Sequence, residues 1–336
     1  MTITGRRFPQ LAVLLVMLAH SSGNAQSLAD RLNVAYVSTG GGFAITWIAK
    51  EANLFQKYGL DVQLIRIPGG PRLVQATIGG DVHFAHGSGV STINAIVRGA
   101  DLVLLAQTSR GYSGHLMVKS EYRGLEDLRG AKIGVPQYGS TADLYLREGL
   151  KKWQLEPDKD VAILQAGGTT ETFAALASRR IDGAVLTTEL ALRAQKGGFK
   201  DLFYFQNLDL KEVGSLLSAK RSFVFANEDT TIRFLQAFVE AIYLYKTNKD
   251  LSLKVLKKYT RNDDLEVLSA VRADYVNGMD PIPYPREDDL RGSLDRLLKE
   301  VVKTGTRSVD IRTQDFVETK YLKKLEQSGF IKRIYK

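Results

Sequence analysis

The residues best placed to do chemistry gather in four short stretches. Ser38-Thr39-Gly40-Gly41-Gly42-Phe43, Gly87-Ser88-Gly89, Gly139-Ser140-Thr141 and Thr187-Thr188-Glu189 each put small hydroxyl side chains beside glycine or at the start of an amphipathic segment. Glycine lets a backbone approach a bound group closely, and a helix start offers unpaired N–H groups suited to an anion. Ser and Thr hydroxyls donate and accept hydrogen bonds, although at a helix start they also serve as N-caps. The candidate contacts are therefore Thr39, Gly40, Gly41, Phe43, Gly87, Ser88, Gly139, Ser140, Thr141, Thr187 and Thr188. Gln107 is added where the chain leaves a strand, and Tyr138 as an aromatic that, like Phe43, could stack on a planar group.

Equally informative is the chemistry these stretches do not offer. No Gly-Lys-Ser/Thr follows the glycine run, which argues against a nucleotide-hydrolase phosphate loop. The chain has no cysteine, excluding disulfides, thiol catalysis, cysteine-held zinc and lipid attachment at a mature N-terminal Cys. His83 and His86 lie three apart on an expected strand, so they point to opposite faces and cannot grip one metal from that element. A packed, hydrogen-bonded histidine is the expectation for them, and His115 stands too isolated to suggest catalysis. The candidate loops carry no carboxylate pair, nucleophile–base set or metal cluster. The chemistry expected is holding, without cofactor or metal.

The elements that must position these loops alternate. Strand patterns at Leu32–Val37, Val62–Ile67, Val82–His86 and Leu102–Ala106 are separated by helical patterns at Phe43–Phe55, Leu73–Ile78 and the segment carrying Ile93, Ile96 and Val97. Strand–helix alternation with short loops predicts a parallel sheet covered on both faces. About 100 residues later the plan recurs. Lys132–Pro136, Val161–Leu164, Phe173–Ile181 and Asp182–Thr188 echo the first series, which predicts two similar lobes. Beyond Asn227 the chain reads as helical, with an apolar stripe through Ile232, Leu235, Phe238, Val239, Ile242 and Tyr245. Further helices are predicted over Leu251–Tyr259, Leu265–Val276, Asp288–Lys303 and Thr313–Gln327, with Pro281, Pro283 and Pro285 breaking the run. Lacking strands of their own, these helices must pack on a lobe already formed.

The expected organisation is lobe I over residues 30–112, lobe II over 113–219 and a return to lobe I over 220–336, with crossings near Gln107–Leu116 and Glu212–Phe223. In open parallel sheets ligands sit beyond the carboxyl ends of the strands, so the candidate loops of two such lobes should face one another across a cleft. The start of the chain reads as an export signal. Arg6 and Arg7 precede an apolar run, Phe8–Ala19, too short to span a bilayer, and Gly23-Asn24-Ala25 suits cleavage after Ala25. The formal charge is +9. Its C-terminal clusters, Lys254–Lys258 and Lys320–Lys324, sit among apolar residues at helical spacing and predict solvated helix faces rather than a nucleic-acid surface.

These residues also resemble a family. Glu51-Ala52-Asn53-Leu54-Phe55 with Tyr58-Gly59-Leu60-Asp61-Val62, Leu125–Val135, and Ala174-Ala175-Leu176 with Ile181-Asp182-Gly183-Ala184 are similar to signatures of the nitrate/sulfonate/taurine-type substrate-binding proteins. Asn53 stands where that family usually has Gly, His83 where it often has Asp, Arg179-Arg180 in place of a Gly, and Thr188-Glu189 near a common Glu-Pro. The resemblance implies an α/β, two-lobed periplasmic binding protein fold of the flytrap kind (type II), with a parallel-rich mixed sheet in each lobe and a helical C-terminal part. It also implies delivery of a small-molecule ligand to an ABC-type permease and no chemistry on the ligand. Helix starts and the basic surplus lean towards a small organic anion such as a sulfonate or carboxylate, while the stacking aromatics leave a neutral heterocycle open. The export signal predicts a periplasmic protein, expected as a monomer. Two other readings stand beside it. One is an enzyme like the pyrimidine-precursor synthase of thiamine biosynthesis, whose cysteine-rich motif this chain lacks. The other is the sensor domain of a receptor.

Overall fold

The computed structural model describes residues 1–2, 30–303 and 311–336. Apart from Met1 and Thr2, the export signal expected over residues 1–25 lies outside the described residues. The first lobe opens with β1 (Asp30–Tyr36), α1 (Ala44–Glu51), α2 (Leu54–Lys57), β2 (Leu60–Arg66), α3 (Gly70–Gly79), β3 (Phe84–Ser88), α4 (Gly89–Val97) and β4 (Leu102–Gln107). The second lobe holds β5 (Gly114–Val118), β6 (Lys132–Val135), α5 (Thr141–Lys152), β7 (Ala162–Gln165), α6 (Thr169–Ala177), β8 (Gly183–Thr187), α7 (Thr188–Lys196) and β9 (Lys200–Tyr204). The chain then returns through β10 (Ser215–Lys220), followed by α8 (Arg221–Ala226), α9 (Glu228–Thr247), α10 (Lys249–Thr260), α11 (Leu265–Asn277), α12 (Glu287–Lys303), α13 (Lys320–Gln327) and α14 (Phe330–Ile334).

The two sheets share one plan. Strand order is β2-β1-β3-β10-β4 in the first and β7-β6-β8-β5-β9 in the second. In each, four strands run in one direction and the fourth in order, β10 or β5, runs antiparallel to both neighbours. Each antiparallel strand comes from the far side of a crossing: β5 enters lobe II before its parallel strands, and β10 re-enters lobe I after lobe II is complete. The sequence reading gave no strand to either segment. It placed the return to lobe I at residue 220, but β10 pairs with β3 and β4 from Ser215 onward, so the return precedes Ser215.

Local chemistry explains where predicted elements are cut. The helix expected over Phe43–Phe55 breaks at Asn53, which adopts a left-handed conformation (φ 55°). Arg179 is left-handed too (φ 56°), so both positions where the resembled family prefers glycine are ones where glycine has no steric cost. The helix expected over Thr313–Gln327 is interrupted as well. Leu104 on the edge strand β4 bonds Phe316 O and Glu318 N (2.9 and 2.8 Å), which covers backbone groups that a sheet edge would leave open. The basic clusters behave as expected, with Lys254, Lys257 and Lys258 exposed while Val255 and Leu256 are buried.

Alternation along β1 divides the first core. Leu32, Val34 and Tyr36 join the large cluster under α1, α9, α10, α11 and α13, whereas Ala35 joins the smaller one around Leu73 of α3. Phe234 on α9 is fully buried, stacked against Phe84 (4.0 Å between ring centroids) and Phe55 (5.4 Å). Lobe II repeats the arrangement, with α5 over one face and α6 and α7 over the other. Phe234→Ala is therefore expected to destabilise the protein by about 3–5 kcal/mol. Urea unfolding followed by fluorescence checks this, and a loss below about 1 kcal/mol contradicts the central placement of that ring.

Candidate functional site

The parallel strands of both lobes point their carboxyl ends at one another. Six connections leave those ends: Val37–Phe43 after β1, Gly69–Gly70 after β2, Ser88 after β3, Pro136–Thr141 after β6, Thr169 after β7 and Thr187 after β8. Each contributes to the wall of a shut interlobe cavity of about 90 Å³. The crossings supply Ser109, Gly111, Tyr112, Ser113, Gly214 and Ser215, and α11 supplies Tyr275. None of the described lining residues carries a charged side chain. Hydroxyls dominate the polar surface, and Phe43, Tyr112 and Tyr275 provide aromatic faces.

Hydrogen bonds across the seam hold the lobes together. Ser88 Oγ, the N-cap of α4, lies 2.7 Å from Thr141 Oγ1 on α5. Ser91 Oγ donates to Gly139 O at 2.9 Å. On the opposite side Asp274 of α11 accepts from Thr188 Oγ1 (2.6 Å) and Tyr204 OH (3.2 Å). Farther out, Lys196 pairs with Asp264 and Glu266, and Arg66 reaches Thr170 and Glu171.

The candidates read from the sequence divide. Phe43, Ser88, Ser140, Thr141 and Thr187 line the cavity together. Gly40 and Gly41 stand behind them: a Cβ on Gly40 would come within 3.1 Å of Thr187 Cγ2, and one on Gly41 within 2.5 Å of Val271. These two glycines, with Gly42, seat the Tyr275 ring, and of the three only Gly42 also lines the cavity. Half-buried Thr39 lies in the same turn, outside the lining. Gly87 is packed under Leu73, and Gly139 and Thr188 form seam contacts instead of lining.

Two candidates are elsewhere. Tyr138 is 45% exposed, donates to Ile163 O and edges an outer groove with Arg98 and Arg147. Gln107 is anchored at the root of the crossing, donating to Asp289 (2.7 Å) and accepting from Arg286 N (2.8 Å). The β2 and β7 connections were missed although the rule that nominated the other loops applies equally to them. Tyr275 had no local signal, because only tertiary packing brings α11 to the cleft.

His86 is fully enclosed between Thr46 Oγ1 (2.8 Å) and Thr108 Oγ1 (2.9 Å), and burial lowers its pKa to about 3, so it is a neutral core residue. His83 accepts from Asn33 N (2.9 Å), and His115 bonds Asp201 (2.7 Å). No group of three or more His, Asp or Glu side chains able to hold a metal occurs among the described residues. Glu189, at the start of α7, is 2% exposed. Its Oε1 accepts from Thr187 Oγ1 (2.7 Å), while its Oε2 has no hydrogen-bond partner. Burial, reinforced by Asp274, raises this carboxyl to about 7.

Two lobes of one topology, joined by paired crossings and closed over a hydroxyl-lined cavity, define the class: this is a periplasmic-binding-protein fold with an interlobe cavity. The family model described as NMT1/THI5 like matches residues 41–249, and the chain belongs to that family. It is 26% identical over 304 residues to a Brucella abortus protein named as a candidate binding protein, covering 88% of this chain and 93% of that one. It is 22% identical over 277 residues to a Brachyspira hyodysenteriae protein named as a candidate ABC transporter periplasmic binding protein, covering 78% and 79%. Among solved structures it is similar to the alkanesulfonate-binding protein SsuA from Xanthomonas axonopodis, bound to MOPS, with a TM-score of 0.72. That alignment covers 86% of this chain and 98% of the other at 18% identity, a likeness of fold.

The seam contacts generate a prediction. Thr141→Val keeps the shape of the side chain but removes the bond to Ser88, and should weaken the closed arrangement by about 1 kcal/mol, roughly fivefold in the closed-to-open ratio. Small-angle scattering should show a larger radius of gyration for the variant. An unchanged scattering curve across conditions that partly open the wild type contradicts a role for this pair in closure.

Proposed function

We propose that this chain is an extracytoplasmic solute-binding protein that captures a small organic molecule between its lobes and presents it, chemically unchanged, to an ABC-type importer. The observation that carries the reading is the cavity wall: six strand-to-helix connections, three from each lobe, meet around one small space. A ligand touching both halves stabilises the shut state in proportion to its preference for that state, and a permease can read the resulting shape. The periplasmic naming of the Brachyspira relative and the export-like start of the sequence support the compartment.

The lining favours a compact organic anion such as a sulfonate or carboxylate. Helix starts carry partial positive charge and free N–H groups, and the hydroxyls complete the donor set without an arginine or lysine. The formal charge of +9 adds a long-range field of the same sign. The alkanesulfonate specificity of the structural neighbour is consistent with this class. The polar set consists of hydroxyls and backbone groups, which suit holding a ligand by hydrogen bonds.

A thermal-shift screen of small sulfonates, carboxylates and neutral heterocycles tests this reading. A true ligand at 100 times its dissociation constant should add about 2.7 kcal/mol of stability. Thr187→Ala, which removes a lining hydroxyl, should weaken binding of that compound about tenfold. Stabilisation only by neutral heterocycles would overturn the anion assignment. Conversion of a bound compound into a product would overturn delivery without chemistry.

A further inference from the structure

The cavity wall conceals one group that its neutral lining does not explain. Glu189 lies immediately behind Thr187, enclosed by elements from both lobes. Lobe II contributes Thr187, its hydrogen-bond donor, and Arg193 one turn along α7. The first crossing contributes Tyr112. Lobe I contributes Asp274 and Tyr275 from α11 and Tyr245 from α9. Asp274 is itself held at the seam by Thr188, the residue next to Glu189. Closure therefore brings a second carboxylate and a set of buried phenols up to Glu189 while excluding water, leaving Oε2 without a partner. An ionised carboxylate with one unpartnered oxygen is costly in such a place, whereas a protonated one is much less so.

We infer that Glu189 takes up a proton when the lobes close, so that a hydrogen ion is bound together with the ligand. The inference rests on the reading that the lobes open and shut around a solute. Protonation also alters what the ligand meets. While Glu189 is ionised, Thr187 must spend its hydroxyl hydrogen on Oε1 at 2.7 Å. Once the proton sits on Oε1, Glu189 donates to Thr187 Oγ1, and the Thr187 hydrogen is free to turn into the cavity as a donor. The proton thus removes a negative charge behind the wall and adds a donor on it, both of which favour an anionic ligand.

The direction of the pH effect follows from linkage. A carboxyl raised in the shut state means that this state binds more protons than the open one. Closure then strengthens as pH falls through about 7 and levels off below the ordinary glutamate value of 4.5. The histidines do not imitate this response at the seam. His86 stays neutral over the range, while His83 and His115 are each bonded inside a single lobe.

The absence of cysteine makes the test direct, because single cysteines can be introduced at exposed Gln56 in lobe I and Lys159 in lobe II and spin-labelled. Pulsed distance measurements on ligand-free protein between pH 8 and 5 should show the closed-to-open ratio rising by about tenfold or more. Glu189→Gln, of equal size and unable to titrate, should flatten that profile, and Asp274→Asn should shrink it by removing the opposing charge. A wild-type ratio that changes less than about twofold overturns the inference, as does a Glu189→Gln protein that keeps the full response. Should Glu189→Gln fail to fold, an undiminished response in Asp274→Asn overturns it. Because no ligand is added, a protein that shuts with acid but binds none of the screened compounds would lose the transport reading while keeping this one.

Discussion

Everything in this molecule turns on two short segments that run side by side between the lobes. Gly111 N bonds Glu212 O (3.0 Å), Gly214 N bonds Ser109 O (3.2 Å) and Thr108 N bonds Ser215 O (2.9 Å), so the two crossings form a small antiparallel ribbon. Its fit leaves no room for side chains at key points: a Cβ on Gly214 would meet Gly111 O at 2.2 Å, and one on Gly89 would meet Val213 O at 2.1 Å. The helix α12 clamps the ribbon from one side, with Asp289 on Arg110 and Gln107, and Ser293 and Arg296 on Glu212. Each crossing continues directly into the antiparallel strand of a lobe. A ribbon tied this way fixes how the two crossings, and the strands they continue into, are set against each other. That constraint sets which loop tips of the two lobes meet around the cavity.

The C-terminal helices have a function beyond filling out lobe I. α11 carries Tyr275 and Asp274 to the cleft, where the first forms part of the wall and the second bridges to Thr188 and Tyr204 of lobe II. The glycine run at Gly40-Gly41-Gly42 is explained by this helix. Its backbone is pressed so closely against the Tyr275 ring that a Cβ on Gly41 or Gly42 would lie 2.7 or 2.9 Å from ring carbons. Tyr245 on α9 reinforces the arrangement by donating to Gly41 O (3.1 Å). Small residues beside a candidate site are often credited to ligand approach. Here they are required by an aromatic side chain more than two hundred residues away in sequence.

How much of this was legible in the sequence depends on whether a feature is local. The parallel strands, their order of appearance and the repetition between lobes could be read from short periodic runs such as Leu32–Val37 and Lys132–Pro136. Phe43, Ser88, Ser140, Thr141 and Thr187 were found because each sits where a strand of known direction gives way to a helix, a position that the sequence marks. The exchanged strands were not found. β10, Ser-Leu-Leu-Ser-Ala-Lys, has no clean alternation, since it is buried between β3 and β4 and covered on both faces. Gln107 was misplaced for a related reason: its polar side chain at a strand end is consumed by Asp289 and the backbone of Arg286, partners whose approach no local pattern announces.

The electrostatics of the cavity follow from how its parts are joined. Six helix starts around one small space give a field that favours negative charge, each contributing a few tenths to about one kcal/mol where it is well directed. No cation among the described lining residues adds to that field, so it is weaker than an arginine clamp and correspondingly sensitive to any opposing charge nearby. Glu189 occupies the first turn of α7, where an ionised carboxylate would neutralise the end of its own helix. The same carboxyl would also act on the space in front of Thr187 through a medium of low polarity, where charges are poorly screened. In the reading proposed here the anion is held by dipoles alone, so its binding would depend on the charge state of Glu189, which stands behind the lining, and that charge state would depend in turn on how closely α11 is pressed against the seam.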